Sequence, residues 1–257
     1  MATYNKRGYK PKNKKEKEEQ VIEESTTAEV FDSLDEKASK TEEFISKYQK
    51  SILGGVVVIA VIALGYLAYQ NLVLAPKEIE ASEEMVQAQR FFDNAVEADT
   101  KKMRDSLFGL ALNGGRGKLG FIDITNNYGR TKAGKLSHYY AGMAYLELKD
   151  FKNAIAHLDQ FKSDDKILSA IALGAIGDAF LELDQKSEAV GYFEKAAKQN
   201  PNQFVSPKFH LKVAQTALAL NEIDKAEKHL MTIKNKFPNS EEAKKVDVFL
   251  GKAQALK

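Results

Sequence analysis

Four histidines and one glycine-rich turn are the places where this 257-residue chain could do chemistry. Neutral imidazole is a common transition-metal ligand, so His138, His157, His210 and His229 are the first residues to weigh. His138 and His210 hold one equivalent position in the sequence repeat described below, and His157 and His229 hold another. Histidines that follow a repeat are expected to lie far apart along a repeat array, and no metal site is expected. Asn113-Gly114-Gly115-Arg116-Gly117-Lys118-Leu119-Gly120 invites a phosphate-loop reading. No strand is expected before it, its Gly-to-Gly-Lys spacing differs, and Leu119 stands where a magnesium-binding hydroxyl is needed. It reads instead as a helix stop followed by a turn.

Cysteine is absent, so the chain has no disulfide, no thiolate metal site and no thiol nucleophile. There is no G-x-S-x-G, no Ser-His-Asp order and no pair of carboxylates placed to shift one another's titration. The chain is therefore not expected to be an enzyme, and no cofactor is expected.

The elements that carry these residues divide at the uncharged stretch Ser51 to Pro76, bounded by Lys50 and Lys77. Residues 52 to 74, wound as a helix, would be about 35 Å long, against a hydrocarbon core of about 30 Å. Apolar side chains surround this helix on every side, which predicts a single transmembrane helix over 51–76. It lacks any charged residue that could form a proton or ion path. A cleavable signal peptide is not expected, because the run begins near residue 50 and is too long for one. Eleven Lys and Arg residues precede it, whereas only Lys77 and Arg90 fall in the next 20 positions. The positive-inside rule then predicts a cytoplasmic N-terminus and a C-terminal part across the membrane.

Net charge is zero over residues 1–50 and +2 over residues 75–257, so neither part is a polycation and no nucleic-acid partner is expected. Residues 1–25 are a basic-then-acidic tail with too few apolar side chains to fold. Over 26–50, Thr26 and Glu29 form a capping box, and Phe31, Leu34, Ala38, Thr41, Ile45 and Tyr48 share one stripe. That pattern predicts a juxtamembrane amphipathic helix. Beyond the uncharged run, within residues 77–134, helices are expected over Glu78–Ala98, Thr100–Leu112 and Phe121–Tyr128, with the glycine turn between the last two.

From about Lys135 the chain repeats itself. Gly142, Tyr145, Phe151, Ala154, Leu158 and Phe161 recur 35 residues later as Gly177, Phe180, Lys186, Ala189, Phe193 and Ala196. They recur 37 residues further on as Ala214, Ala217, Ile223, Ala226, Leu230 and Ile233. The three copies span 135–168, 170–203 and 207–240, and 241–257 is expected to be a capping helix with Val246, Phe249, Leu250 and Ala253 on one face. A small residue on the first helix facing a small residue on the second lets the two backbones approach closely.

This pattern resembles the tetratricopeptide repeat, whose period is near 34. The resemblance implies an all-α fold: one transmembrane helix, then an α-solenoid of tetratricopeptide repeats (an α-α superhelix) with a C-terminal capping helix. Repeats of this family bind peptides along the concave face of their first helices. Carried over copy by copy, the groove positions are Tyr139, Met143 and Leu146, then Asp178 and Leu181, then Leu211, Gln215 and Leu218. The alternative is that the helices of residues 78–128 fold back and pack on some of these side chains.

The architecture of residues 50–257, together with the run Thr131-Lys132-Ala133-Gly134-Lys135-Leu136-Ser137-His138-Tyr139-Tyr140-Ala141-Gly142, resembles the YfgM-like ancillary subunits of the bacterial SecYEG translocon. That resemblance implies a single-pass protein of the bacterial inner membrane with a periplasmic repeat domain. It would scaffold protein–protein contacts, with Sec translocon subunits, periplasmic chaperones or client peptides as partners. The alternatives are an assembly scaffold for another envelope or secretion complex, and a transmembrane stress-signalling adaptor.

Overall fold

The computed structural model describes residues 46–115, 117–199 and 201–257. The tail expected over 1–25 lies outside them, as does all but the last few residues of the helix expected over 26–50. The chain divides into two units, Met1–Ala68 and Tyr69–Lys257. Among the described residues every regular element is a helix; Gly115 and Lys118 form an isolated antiparallel bridge.

One helix, Ser46–Val96, is long and apolar enough by length and composition to cross a membrane. The apolar side chains of its first half, among them Ile59, Ile62 and Leu64, are exposed in the isolated chain. The sequence predicts two helices here, over 51–76 and Glu78–Ala98, yet helical geometry runs through Pro76. Proline has no N–H to donate and its ring crowds the carbonyl four residues back, so a tight α-turn fails there. The preceding five residues, Gln70–Leu74, widen into a π turn that absorbs the misfit.

Among its described residues the second unit has ten α-helices after that π turn: α1 Ala75–Val96, α2 Lys101–Asn113, α3 Phe121–Tyr128, α4 Lys132–Glu147, α5 Phe151–Gln160, α6 Lys166–Glu182, α7 Lys186–Gln199, α8 Ser206–Ala219, α9 Ile223–Lys236 and α10 Ala243–Ala255. Thr100, Thr131, Asp150 and Asp165 cap the starts of α2, α4, α5 and α6 through their side-chain oxygens. The glycine turn stops α2 at Asn113, with Gly114 at φ 84° and Gly117 at φ 76°. Glu84 holds it to α1, accepting from Lys118 Nζ at 2.7 Å and from the Leu119 N–H at 3.3 Å. That ion pair pulls the Glu84 carboxyl below its ordinary titration range.

Helices α1 to α3 pack on α4 through Ala88, Phe91, Phe108, Phe121 and Ala141. Aromatic rings close this seam: Phe92 meets Tyr140 edge-on at 5.2 Å, and Phe121 stacks on Tyr140 at 5.1 Å. Helices α4/α5, α6/α7 and α8/α9 are the three repeats. The turn inside each pair has the same backbone. Lys149, Asp184 and Asn221 all have φ near 60°, and the next N–H returns to Tyr145, Phe180 or Ala217. This is a Schellman ending built without glycine, and it fixes the 35- and 37-residue register independently of the side chains.

The close approach expected between helices of a pair is present: a Cβ on Gly142 would lie 3.2 Å from the Ala154 carbonyl oxygen, and a large side chain meets each glycine as well. A Cβ built on Gly142 would collide with Leu158, and one on Gly177 with the Phe193 ring. The large residue of the second helix rests on the glycine, while Ala154 and Ala189 lie fully buried beside it.

Candidate protein-binding surface of the repeats

Leu211 and Leu218, two of the eight groove positions, are 6% exposed and sit in a core with Leu230, Ile233 and Val246. α10 joins them in that core through Val246 and Ala253, packing on α8 and α9 together. Gln215 on the same helix remains exposed. In the first copy, Tyr139, Met143 and Leu146 are half-buried against Leu158, Phe161, Ala172 and Ile176. They therefore join repeat one to repeat two. The residues of α4 that meet the α1–α3 core are others, Tyr140, Ala141 and Ala144 among them. Burial raises the Tyr139 hydroxyl above its ordinary titration range. Leu181 is half-buried against the core shared by α6, α7 and α8. Asp178 pairs with Lys212 across α6 and α8, and the Lys212 ammonium lies 5.3 Å above the Phe193 ring.

None of the eight lines a cleft of about 760 Å³ between repeats one and two. It is lined by apolar Leu136, Leu158, Phe161, Leu168, Ala172 and Ile176, and by the charged Lys132, Lys135, Lys162, Asp159, Asp164 and Asp165. Asp165 is already committed to capping α6, with its Oδ1 accepting from Ile167 and Leu168. Leu136, which lines the cleft, lies one helical turn before Tyr139. What the sequence does not carry is the width of the gap, which depends on where the loop 161–165 crosses.

The histidines do not lie far apart, as their place in the repeat suggested. They pair within a repeat, first helix to second. His138 and His157 bring their Nδ1 atoms to 3.3 Å, and His210 and His229 bring theirs to 2.8 Å. In such a pair one imidazole donates and the other accepts, so both are neutral or one is charged. Repeat two has Leu173 and Tyr192 at the equivalent positions. Among the described residues no group of three or more His, Asp or Glu side chains could hold a metal ion. Glu194 faces His229 Nε2 at 3.6 Å, and Lys198, Lys228 and Lys236 surround the pair.

Burial lowers the titration of all four histidines, and that of His210 falls from 6.5 to about 4. An unfolded histidine takes up its proton near pH 6.5, whereas the folded one resists it. The stabilisation is complete above that pH and is lost as pH falls toward 4. Acid unfolding should therefore begin below pH 6.5 and cost about 2–3 kcal/mol in urea titrations by pH 4. The double substitution H210L/H229Y, which imports the pair used by repeat two, should flatten most of that slope. An unchanged acid limb would show that this pair does not cause it.

Two sequence profiles of the tetratricopeptide repeat match the chain, one over residues 180–246 and the other over residues 137–165. The chain carries tetratricopeptide repeats. The first profile covers the second helical pair from Phe180 through α9 into α10, and the second covers α4, α5 and the loop after them. No curated protein matches the chain. Tetratricopeptide arrays generally present surfaces to other proteins, and the two matches suggest such a role here.

Proposed function

We propose that this protein is a membrane-anchored tetratricopeptide adaptor that holds partner proteins at the face of the bilayer. The observation that carries this reading is the direct joining of the repeats to the end of the uncharged run. Glu78, two residues past Pro76, caps α4 with its carboxylate, accepting from the Lys132 N–H at 2.6 Å and the Ala133 N–H at 2.9 Å. The start of the first repeat is thereby tied to α1 just past the uncharged run.

In this reading the uncharged helix spans the inner membrane of a bacterium, the N-terminus is cytoplasmic and the repeats are periplasmic. The basic residues before the run and their scarcity after it support that direction. The likeness to YfgM-like translocon subunits supports Sec translocon subunits, periplasmic chaperones or emerging client segments as partners. The cleft between repeats one and two is the primary seat for an extended segment. Tyr139, Met143, Leu146, Asp178, Leu181 and Gln215 are the further contact positions that the repeat resemblance supports, whereas Leu211 and Leu218 are available only if α10 lifts away.

Affinity purification of tagged full-length protein in mild detergent tests both parts. Translocon subunits or chaperones should co-purify, and L168D, in the cleft lining, should remove the partner while leaving the protein in the membrane fraction. Recovery of a different envelope complex would favour the assembly-scaffold alternative and end the Sec version. Retention of every partner by L168D would move the binding surface away from the cleft.

A further inference from the structure

We infer that the edge of the solenoid where the first helix of each repeat begins lies on the bilayer surface, with Phe204 and Ile167 dipping among anionic headgroups. The inference rests on the membrane-anchor reading and adds to it which side of the repeats meets lipid. The first observation is where the uncharged run ends. Its last residues, from Tyr69, belong to the same unit as the repeats. Arg130 Nη1 donates to the Tyr69 hydroxyl at 3.2 Å, and Glu78 caps the start of α4. The exit from the run thus touches the very start of the first repeat.

The second observation is that all three repeats share this edge. One cleft is lined by Lys132 at the start of α4, Asp159 at the end of α5, Leu168 at the start of α6 and Gln199 at the end of α7. Gln203, before α8, donates to the carbonyl of Lys236 at the end of α9 at 3.5 Å. Starts of first helices and ends of second helices therefore gather together, and the turns within pairs form the opposite edge.

The third is what the edge displays. Lys132, Ile167 and Phe204 occupy the same repeat position, three residues before Lys135, Ala170 and Pro207. Ile167 is 46% exposed and Phe204 87% exposed, the most exposed large apolar side chain described. Phe204 is held out deliberately: the Asn202 side-chain oxygen accepts from the N–H groups of Phe204 and Val205 at 2.9 and 2.8 Å. Val205 beneath it is buried. Segments 129–136, 159–169 and 198–209 carry seven basic and three acidic residues. The opposite turns, 146–153, 181–188 and 218–225, carry seven acidic and four basic residues. Basic side chains with interspersed Phe and Ile suit an anionic interface, where the charges stay with the headgroups and the rings enter the acyl boundary. The acidic opposite edge would be repelled from it.

The chain has no tryptophan, so a single indole reports one position. Full-length protein carrying Phe204→Trp, Glu188→Trp or Tyr66→Trp would be reconstituted into vesicles of phosphatidylcholine with phosphatidylglycerol, with and without brominated lipid. Phe204 is exposed, so its replacement leaves the core intact. Phe204→Trp should emit to the blue of Glu188→Trp and lose most of its emission to brominated lipid. Both effects should weaken when phosphatidylglycerol is omitted. Solvent-like, unquenched emission from Phe204→Trp while Tyr66→Trp is quenched would overturn the inference and leave the anchor standing. Absence of quenching at Tyr66→Trp would remove the anchor reading, and this inference with it. Quenching that ignores phosphatidylglycerol, or that also reaches Glu188→Trp, would overturn the inference. A blue shift of Phe204→Trp in native membranes alone would assign the edge to a protein and overturn it too.

Discussion

Phe193→Ala should lower the stability of the repeat domain by about 3–5 kcal/mol, read as a lower urea midpoint at unchanged slope in full-length protein held in mild detergent. Phe193 is fully buried, at the point where the second repeat meets the third. Its ring fills the space left by Gly177, stacks at 6.4 Å on Phe209 of the next repeat and lies under the Lys212 ammonium. Truncation leaves a cavity whose walls are helix backbone on one side and a fixed ring on the other, so the site cannot collapse. Because a solenoid is held by contacts between neighbours, the same change should separate the unfolding of repeat three from the rest. Ala189→Phe approaches the same seam from the opposite direction. Ala189 is fully buried, and the added ring should cost about 1–3 kcal/mol by overpacking. A midpoint equal to that of the unaltered protein for both variants would refute this register.

Gly134→Ala should cost about 3 kcal/mol although it adds one methyl group, because the obstacle is backbone. The new Cβ would collide with the Tyr128 carbonyl oxygen and press on the backbone of Gly129. That carbonyl is pinned already, accepting from the Thr131 N–H at 2.8 Å and the Thr131 hydroxyl at 2.7 Å. The site is also the start of α4, where Glu78 docks, so a shift there would loosen the link to the uncharged run. Gly191→Ala supplies the contrast. Gly191 lies within α7 and a Cβ on it would meet nothing within 4 Å, so the change should stabilise by about 1 kcal/mol through helix propensity. Equal effects from the two substitutions would contradict the packing described at α4.

The two glycines look alike in the sequence, and both fall in segments of helical pattern. Their opposite expected behaviour shows where reading by pattern stops. Periodicity tells which side of a helix is buried, whereas the distance to the neighbouring backbone depends on how three helices meet. The histidine pairs make the same point. Their shared positions in two copies were visible in the sequence, but a 19-residue separation becomes a hydrogen bond only when α4 folds against α5 and α8 against α9.

Much was nevertheless fixed locally. The sequence by itself determined the helices over Phe121–Tyr128 and through the repeats, the 35- and 37-residue spacing, and the uncharged run, because periodicity, small-residue positions and absence of charge are properties of neighbouring residues. Tertiary structure alone decided that α10 closes over Leu211 and Leu218, and that a cleft opens one turn from the positions carried over from the repeat family. It also decided that the starts of the first helices gather on one basic edge beside the end of that run. Those outcomes depend on the relative placement of segments 30 or more positions apart, set by which apolar face finds a partner, and no local pattern encodes that choice.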